Sequence, residues 1–281
     1  MEYYRAEKID DRVTAIRSLT GEIMYLAEGE ERAALIDTCL GVGHLRSFVE
    51  TLTDKPLTVL LTHGHVDHAM GAPEFDAVYM NPKDTEMFRQ HCPMDVRTGY
   101  IAGALGERFA ELAEADFVSP RPDMAFLPLE DGMCFDLGGL HVDAVAFPGH
   151  TQGTMAFLIR EPGLLVLGDA CNNSTFLFDE AHSSTVEEYR DMVADVRDRL
   201  SGRYDRALIC HQRIDVDVDI LDNMIDVCGD VLAGCADDEP FEFMGSKAYI
   251  AKKCSAPATR ADGKSGNLIY SKIHVRRRDR K

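Results

Sequence analysis

The sequence lacks several features that mark membrane proteins, secreted proteins and disulfide scaffolds. No apolar run approaches the roughly 18 residues that span a bilayer. The first residues, MEYYRAEKIDD, are charged and contain no apolar core, so we predict no secretory signal. The eight cysteines form no CxxC pair and no framework spacing, which predicts reduced thiols. We therefore expect a cytoplasmic protein that does not contact a membrane.

Positive charge is also scarce. The chain has 30 Lys and Arg against 48 Asp and Glu, a net charge of −18. A surface that binds phosphates needs a positive field, so we do not expect nucleic acid as a partner. Residues 241–281 nevertheless carry a net charge of +8, which leaves −26 on the first 240 residues. We interpret the terminal RRRDRK as a solvated or self-docking tail.

What is present is the composition of a soluble globular protein. Hydrophobic residues make up 45% and charged residues 28% of the 281 residues, which excludes a disordered chain. The sequence has no internal repeat and no low-complexity linker. We predict one domain over 1–281, with a helical insert at about 82–122 and a basic extension at about 241–281.

Short apolar runs between turn residues predict most of the strands. The predicted strands are 13–16, 23–27, 33–36, 58–62, 77–80, 126–129, 140–147, 155–159, 164–167 and 206–210. Amphipathic patterns predict helices over 44–52, 185–200 and 217–233, and residues 241–275 are predicted to hold two terminal strands. Strands in two runs, each followed by helices, indicate an α/β fold with two sheets packed face to face and helices outside.

The stretch THGHVDH at 62–68 carries the strongest chemical signal. His63, His65, Asp67 and His68 are four potential metal ligands within six residues, directly after a predicted buried strand. Neutral imidazole and carboxylate suit zinc, iron or manganese. These side chains cannot all face one way on a regular helix or strand, but on a loop they can converge. The alternative is a His-rich surface loop, which this pattern does not favour.

Three further candidates follow other predicted strands. His150 comes after 141–147, Asp169 after 164–167, and His211 directly after Cys210. Strand ends are rigid places to hold ligands, and they gather at one edge of a sheet. One such residue alone would more often be structural, but together with 62–68 they predict a metal centre.

These motifs resemble those of the metallo-β-lactamase superfamily, and most closely its glyoxalase II-like hydrolases. The matching stretches, in the family's order, are THGHVDH at 62–68, GHTQGT at 149–154, LGDA at 167–170 and ICH at 209–211. The resemblance implies an αββα sandwich that holds two divalent metal ions at the sheet edge. Zinc is the expected metal, with iron or manganese as alternatives. Asp37 resembles the family's structural aspartate after an early strand.

The resemblance also implies the ligand set and the reaction. It assigns His63, His65 and His150 to the first metal; Asp67, His68 and His211 to the second; and Asp169 to a bridging position. A bridging hydroxide would attack a small ester-like substrate, with a thioester or lactone expected. Asp67 is also placed to orient or deprotonate the water.

Other functions stay open at this point. A mononuclear iron oxidoreductase similar to persulfide dioxygenases has the same fold and a similar ligand set. A phosphodiesterase or nuclease is a further alternative, and a binding module without activity is another. Assembly into a homo-oligomer is compatible with the sequence.

Residues that contact the substrate are harder to predict. The insert at 82–122 is a candidate lid, in which Arg97 could bind a carboxylate or phosphate and Tyr100 could line a pocket. The alternative is that these residues form the insert's own small core. Phe176 and Phe178, close after Asp169, are candidates for a pocket wall. The remaining histidines, His91 among them, are interpreted as structural or surface residues, and Cys171 as a buried thiol.

Overall fold

The computed structural model describes residues 2–243 and 245–277. They form two compact units, each with its own apolar core. The first unit comprises the chain up to Ala144 together with 159–162 and 210–214, and the second comprises 145–158, 163–209 and the chain from Asp215. The expectation of one domain stays a prediction. Among the described residues, no helix is both long and apolar enough to cross a membrane.

The first unit contains a seven-stranded sheet in which the strands are neighbours in chain order. These strands are Tyr4–Asp10 (β1), Val13–Ser18 (β2), Ile23–Glu28 (β3), Ala33–Ile36 (β4), Leu57–Leu60 (β5), Val78–Met80 (β6) and Leu127–Pro128 (β7). Strands β1 to β4 pair antiparallel, and β4 to β7 pair parallel. All four residues of β4 are buried, as expected for a strand that is covered on both faces.

The register of β4 and β5 determines where the first candidate ligands lie. Ile36 pairs with Leu60, so both parallel strands end at the same edge of the sheet. The amide of Asp37 then donates to the carbonyl of Leu60 at 3.0 Å. The residue after β4 and the loop after β5 therefore begin side by side.

Along the chain, the helices of the first unit alternate with its strands. They are Leu45–Val49 (α1), Val66–Ala69 (α2), Thr85–His91 (α3) and Met94–Leu105 (α4), with 3₁₀ turns at Ala72–Glu74, Pro82–Asp84, Gly106–Glu111 and Glu114–Asp116. The segment predicted as a helical insert is thus helical over most of its length. Strand β8 (Cys134–Asp136) pairs antiparallel with the start of β9 (His141–Ala146).

The second unit combines small sheets with two long helices. Its elements are Met155–Ile159 (β10), Leu164–Val166 (β11), Thr175–Leu177 (β12), Val186–Leu200 (α5), Arg206–Leu208 (β13), Asp215–Val216 (β14), Ile220–Ala233 (α6), Glu239–Phe243 (β15), Ser246–Ile250 (β16), Cys254–Ala256 (β17), Thr259–Arg260 (β18) and Leu268–Tyr270 (β19). One sheet has neighbours β14-β13-β11-β10, a second has β12-β19-β16-β15, and β17 pairs with β18.

The strands and helices that were predicted from a strong sequence pattern are confirmed. Several other elements were missed. Helix α5, predicted over 185–200, begins after its N-cap Thr185, which forms a capping box with Glu188, and the helix buries an apolar stripe. The prediction missed β1, whose exposed charged residues are typical of an edge strand. It also missed β12 and placed two strands in 241–275 where the described residues hold parts of five, because paired segments of two or three residues leave no periodic signal.

Candidate metal centre

Asp37 holds the loop over 62–68 in place. This motif loop carries the HxHxDH pattern of residues 63–68. The Asp37 carboxylate is buried and accepts hydrogen bonds from the Thr62 amide at 2.7 Å and from His68 Nδ1 at 2.7 Å. The Thr62 hydroxyl lies 2.9 Å from Oδ1 and 2.8 Å from Oδ2. Asp37 adopts a left-handed backbone (φ 65°), which aspartate tolerates better than most residues. This contact set agrees with the structural role that the resemblance implies for Asp37.

These hydrogen bonds fix the tautomers of two histidines. Because Nδ1 of His68 donates to a carboxylate, its lone pair lies on Nε2. The single hydroxyl proton of Thr62 is directed at Asp37, so Thr62 Oγ1 accepts from Nδ1 of His63 at 3.0 Å. The lone pair of His63 therefore also lies on Nε2. A histidine that donates one ring N–H to a fixed acceptor and presents the other nitrogen is typical of a metal ligand.

Candidate ligand atoms of the motif and of His211 lie close together in a way that suits a cation. His63 Nε2 lies 3.0 Å from His65 Nδ1, and His68 Nε2 lies 3.2 Å from His211 Nε2. Asp67 Oδ2 is 3.5 Å from the same nitrogen of His211. Donors about 2.0–2.1 Å from one tetrahedral zinc ion lie roughly 3.3 Å from each other. Asp67, His68 and His211 thus fit a divalent ion of the first transition row.

Two residues of the segment predicted as an insert accept hydrogen bonds from the motif loop. Neither was predicted as a site residue from the sequence. The Gly64 amide donates to Asp84 Oδ2 at 3.0 Å, and the Val66 amide donates to His91 Nδ1 at 3.1 Å. A Cβ on Gly64 would lie 2.7 Å from the carbonyl oxygen of Asp84, so only glycine fits this approach. Asp84 and His91 are distant in sequence from the motif they hold, and no local pattern identifies them.

Tyr100 and Arg97 make different contacts from those predicted. The Tyr100 hydroxyl donates to Asp67 Oδ2 at 2.8 Å, so it contacts a candidate ligand directly. Arg97 is 1% exposed, and its guanidinium donates to the carbonyls of Leu40 at 3.1 Å and Val118 at 2.6 Å, and to that of Gly41. Burial lowers the pKa of Arg97. Because its donors are directed at backbone carbonyls, Arg97 stabilises the fold, which agrees with the alternative of a core residue, and its role in binding an anion stays a prediction.

His150 and Asp169 lie together in the second unit. His150 Nδ1 donates to the carbonyl of Phe176 at 2.9 Å, which places the lone pair on Nε2, and this nitrogen is 3.6 Å from Asp169 Oδ2. Asn172 Nδ2 donates to Asp169 Oδ1 at 3.0 Å. Burial raises the pKa of Cys171 to about 12, so its side chain stays a thiol. His150 and Asp169 therefore present a nitrogen and an oxygen toward one another, as two metal ligands would.

A glycine precedes each of these two candidate ligands, and the structure shows why a glycine is present at both positions. A Cβ on Gly149, before His150, would lie 2.4 Å from a ring carbon of Tyr189. Gly168, before Asp169, has a φ of 55°, a conformation that glycine adopts without strain. Both candidate ligands thus follow a glycine, which packing against Tyr189 requires at position 149 and the backbone conformation favours at position 168.

Phe176 and Phe178, the predicted pocket-wall residues, belong to an aromatic cluster of the second unit. Their ring centroids are 5.1 Å apart. Phe241 and Phe243 from β15 join them, at 5.9 Å and 5.3 Å from Phe176. All four side chains are half-buried. Phe241 and Phe243 were not predicted as site residues, because they lie in the C-terminal region, for which the sequence predicted only a basic charge and two terminal strands.

Comparison with known proteins identifies the family. Residues 23–202 match the Metallo-beta-lactamase superfamily. The chain belongs to this superfamily. A metallo-beta-lactamase from Pontibacter korlensis has the same fold, with a TM-score of 0.58 and 16% identity over 80% of this chain and 99% of that one. The predicted fold class is therefore confirmed, while the glyoxalase II-like branch stays a prediction.

Two relatives from sequence comparison extend this finding. An uncharacterized protein of Mycobacterium tuberculosis is 33% identical over 182 residues, which cover 60% of this chain and 74% of that protein. The atrochrysone carboxyl ACP thioesterase AgnL7 of Paecilomyces divaricatus is 29% identical over 156 residues, which cover 54% of this chain and 40% of that protein. This metallo-β-lactamase superfamily chain is thus similar to a named thioesterase over less than half of the thioesterase's length.

Proposed function

We propose that this chain is a metal-dependent hydrolase that cleaves a small ester-like substrate, with a thioester or lactone as the expected class. The observation that carries the proposal is the pair of histidines, His63 and His68, held with their Nε2 lone pairs presented by the Thr62 and Asp37 network. Superfamily membership supports it, since divalent metal ions are typical of these proteins. The relative named as a thioesterase favours a thioester.

Seven residues of this chain are the proposed ligands of two divalent ions. His63, His65 and His150 would hold one ion, while Asp67, His68 and His211 would hold the other, with Asp169 shared. Zinc suits this nitrogen and carboxylate set best, and iron or manganese also suits it. When bound, the two ions would supply a hydroxide at neutral pH and stabilise the charge that develops on the substrate oxygen.

The chain's own side chains orient the proposed ligands and the attacking group. Asp37 and Thr62 keep the proton of each imidazole on Nδ1, away from the ligand nitrogen. Tyr100 donates to Asp67 Oδ2 and so sets the plane of that carboxylate. We propose Asp67 as the group that orients or deprotonates the attacking water, because a carboxylate fixed in this way is a suitable proton acceptor.

The decisive experiment combines metal analysis with a substrate panel. Protein purified without added metal or chelator is expected to contain about two divalent ions per chain and to hydrolyse members of a thioester and lactone series. His65→Ala and Asp169→Ala should each lower kcat/KM by at least about a thousandfold while circular dichroism stays unchanged. His141→Ala removes a histidine that pairs with Glu161 and is the matched control.

Other outcomes would redirect the assignment. One iron per chain with little zinc would favour the persulfide dioxygenase-like alternative, and oxygen consumption would then be measured. Full activity in His65→Ala or Asp169→Ala would contradict the ligand set. Protein that contains no metal and takes up no zinc would refute the metal centre itself.

A further inference from the structure

The four phenylalanines of the second unit form what we call the aromatic wall: Phe176, Phe178, Phe241 and Phe243. The rings of Phe241 and Phe243 are nearly parallel, with centroids 6.5 Å apart, and both contact Phe176. Phe241 and Phe243 lie beyond residue 202, where the match to the superfamily ends. The wall is thus built partly from a region that the superfamily match does not include.

Strand geometry directs these rings away from the core of the unit. On β12, Thr175 and Leu177 are fully buried while Phe176 between them is half-buried, so Phe176 faces the opposite side. On β15, Phe241 and Phe243 are half-buried and Glu242 between them is exposed, so both rings share one face. Leu177 belongs to the apolar core, whereas the aromatic wall does not.

The backbone of the aromatic wall contacts a proposed metal ligand. The carbonyl of Phe176, its central residue, accepts the hydrogen bond from His150 Nδ1 at 2.9 Å. The backbone that carries the wall therefore also orients His150. A substrate whose reacting carbonyl is bound beside His150 would direct the group attached to that carbonyl toward the part of the second unit where these rings lie.

We propose that the aromatic wall binds the apolar acyl group of the substrate, so that the enzyme prefers medium-chain or aryl esters and thioesters over acetyl ones. This rests on the proposed hydrolase function. Each methylene buried against the rings is worth about 0.8 kcal/mol, or roughly a fourfold gain in kcat/KM per methylene. An acyl group that ends in a carboxylate would gain little, because the rings offer it no hydrogen-bond partner.

The first test measures kcat/KM of the metal-loaded protein on thioesters that differ only in the acyl chain, from acetyl to octanoyl, with benzoyl added. Wild type should show a steep rise with chain length. In Phe241→Ala and Phe243→Ala the loss should grow with chain length, to about tenfold or more for octanoyl. Phe241→Leu keeps an apolar side chain and should recover part of the slope. Phe135→Ala is the matched control, because this half-buried ring contacts Tyr79 in the first unit.

A second test separates this proposal from the proposed function. Calorimetric titration of zinc-loaded protein with octanoate and acetate needs no turnover, and octanoate should bind at least tenfold more tightly, a difference that Phe241→Ala removes and Phe135→Ala keeps. If acetyl and octanoyl thioesters are hydrolysed equally well, the wall proposal fails and the hydrolase stands. If octanoate binds through the wall but no ester is hydrolysed, the hydrolase fails and the wall stands. Equal binding of octanoate and acetate would overturn the wall proposal.

Discussion

The two groups of candidate ligands are held by different means. In the first unit, the imidazoles of His63 and His68 are oriented by side chains, the buried carboxylate of Asp37 and the hydroxyl of Thr62. In the second unit, His150 is oriented by the backbone carbonyl of Phe176. The first arrangement depends on a buried charge with several donors, whereas the second depends on where a strand runs. Substitutions should therefore affect the two groups unequally.

The largest expected difference is in the free energy of unfolding of metal-free protein. Asp37→Ala removes the acceptor of the Thr62 amide, the Thr62 hydroxyl and His68 Nδ1 at a buried site, so we expect a loss of about 3–5 kcal/mol. Asp169→Ala removes the acceptor of Asn172, and the loss of this hydrogen bond should cost about 1 kcal/mol. Urea denaturation after dialysis against a chelator measures both.

Asp37→Asn serves as the control for size and backbone conformation. Asparagine tolerates the left-handed backbone of position 37, but its amide group offers a donor where His68 needs an acceptor. We expect an intermediate loss of stability. Equal losses in Asp37→Ala and Asp169→Ala would contradict the difference between the two groups.

The next largest effect concerns metal affinity. Tyr100→Phe removes the hydroxyl that donates to Asp67 Oδ2 and leaves the ring, so we expect metal binding to weaken about 10- to 100-fold. Competition with a chromophoric chelator measures this without a substrate. Tyr79→Phe, a half-buried tyrosine on β6, is the matched control and should bind metal as wild type does. Unchanged affinity in Tyr100→Phe would show that the hydroxyl does not orient the ligand.

The smallest expected effect comes from the basic tail. Arg276 Nη2 donates to the carbonyl of Leu232 at 2.6 Å, and the Arg277 amide donates to Glu187 Oε2 at 3.0 Å, so the start of the tail docks on the second unit. The tail residues 278–281 lie outside the described residues. Because exposed pairs contribute little, removing 276–281 should cost at most about 1 kcal/mol and leave kcat/KM unchanged. A large loss of kcat/KM would instead show that the tail contributes to substrate binding.

Elements with a strong local signal could be predicted from the sequence. Helix α5 was predictable because its capping box and its apolar stripe lie within 16 consecutive residues. Strand β4 was predicted with its bounds because a fully buried strand is apolar throughout. Strand β12 was not predicted because its three residues form a strand only through pairing with β19, more than 90 residues away.

The residues of the candidate site also differ in how well the sequence predicts them. The candidate ligands could be identified in the sequence because imidazole and carboxylate groups follow apolar strands within a few residues. The residues that hold them could not: Asp84 and His91 contact Gly64 and Val66 across 20 and 25 positions of sequence. For Arg97 the sequence left two alternatives open, because it does not show whether a guanidinium is directed at a ligand or at buried carbonyls.

The sequence by itself determined the superfamily, the kinds of candidate ligand and the strand ends that carry them, since each of these depends on a short stretch of chain. The tertiary structure alone decided the tautomers of His63 and His68, the contact of Tyr100 with Asp67, and the meeting of Phe176 with Phe241 and Phe243. These depend on hydrogen bonds and packing between residues far apart in sequence, which exist only once the strands have paired. Local chemistry thus names the groups that can react, and folding gives them their orientation.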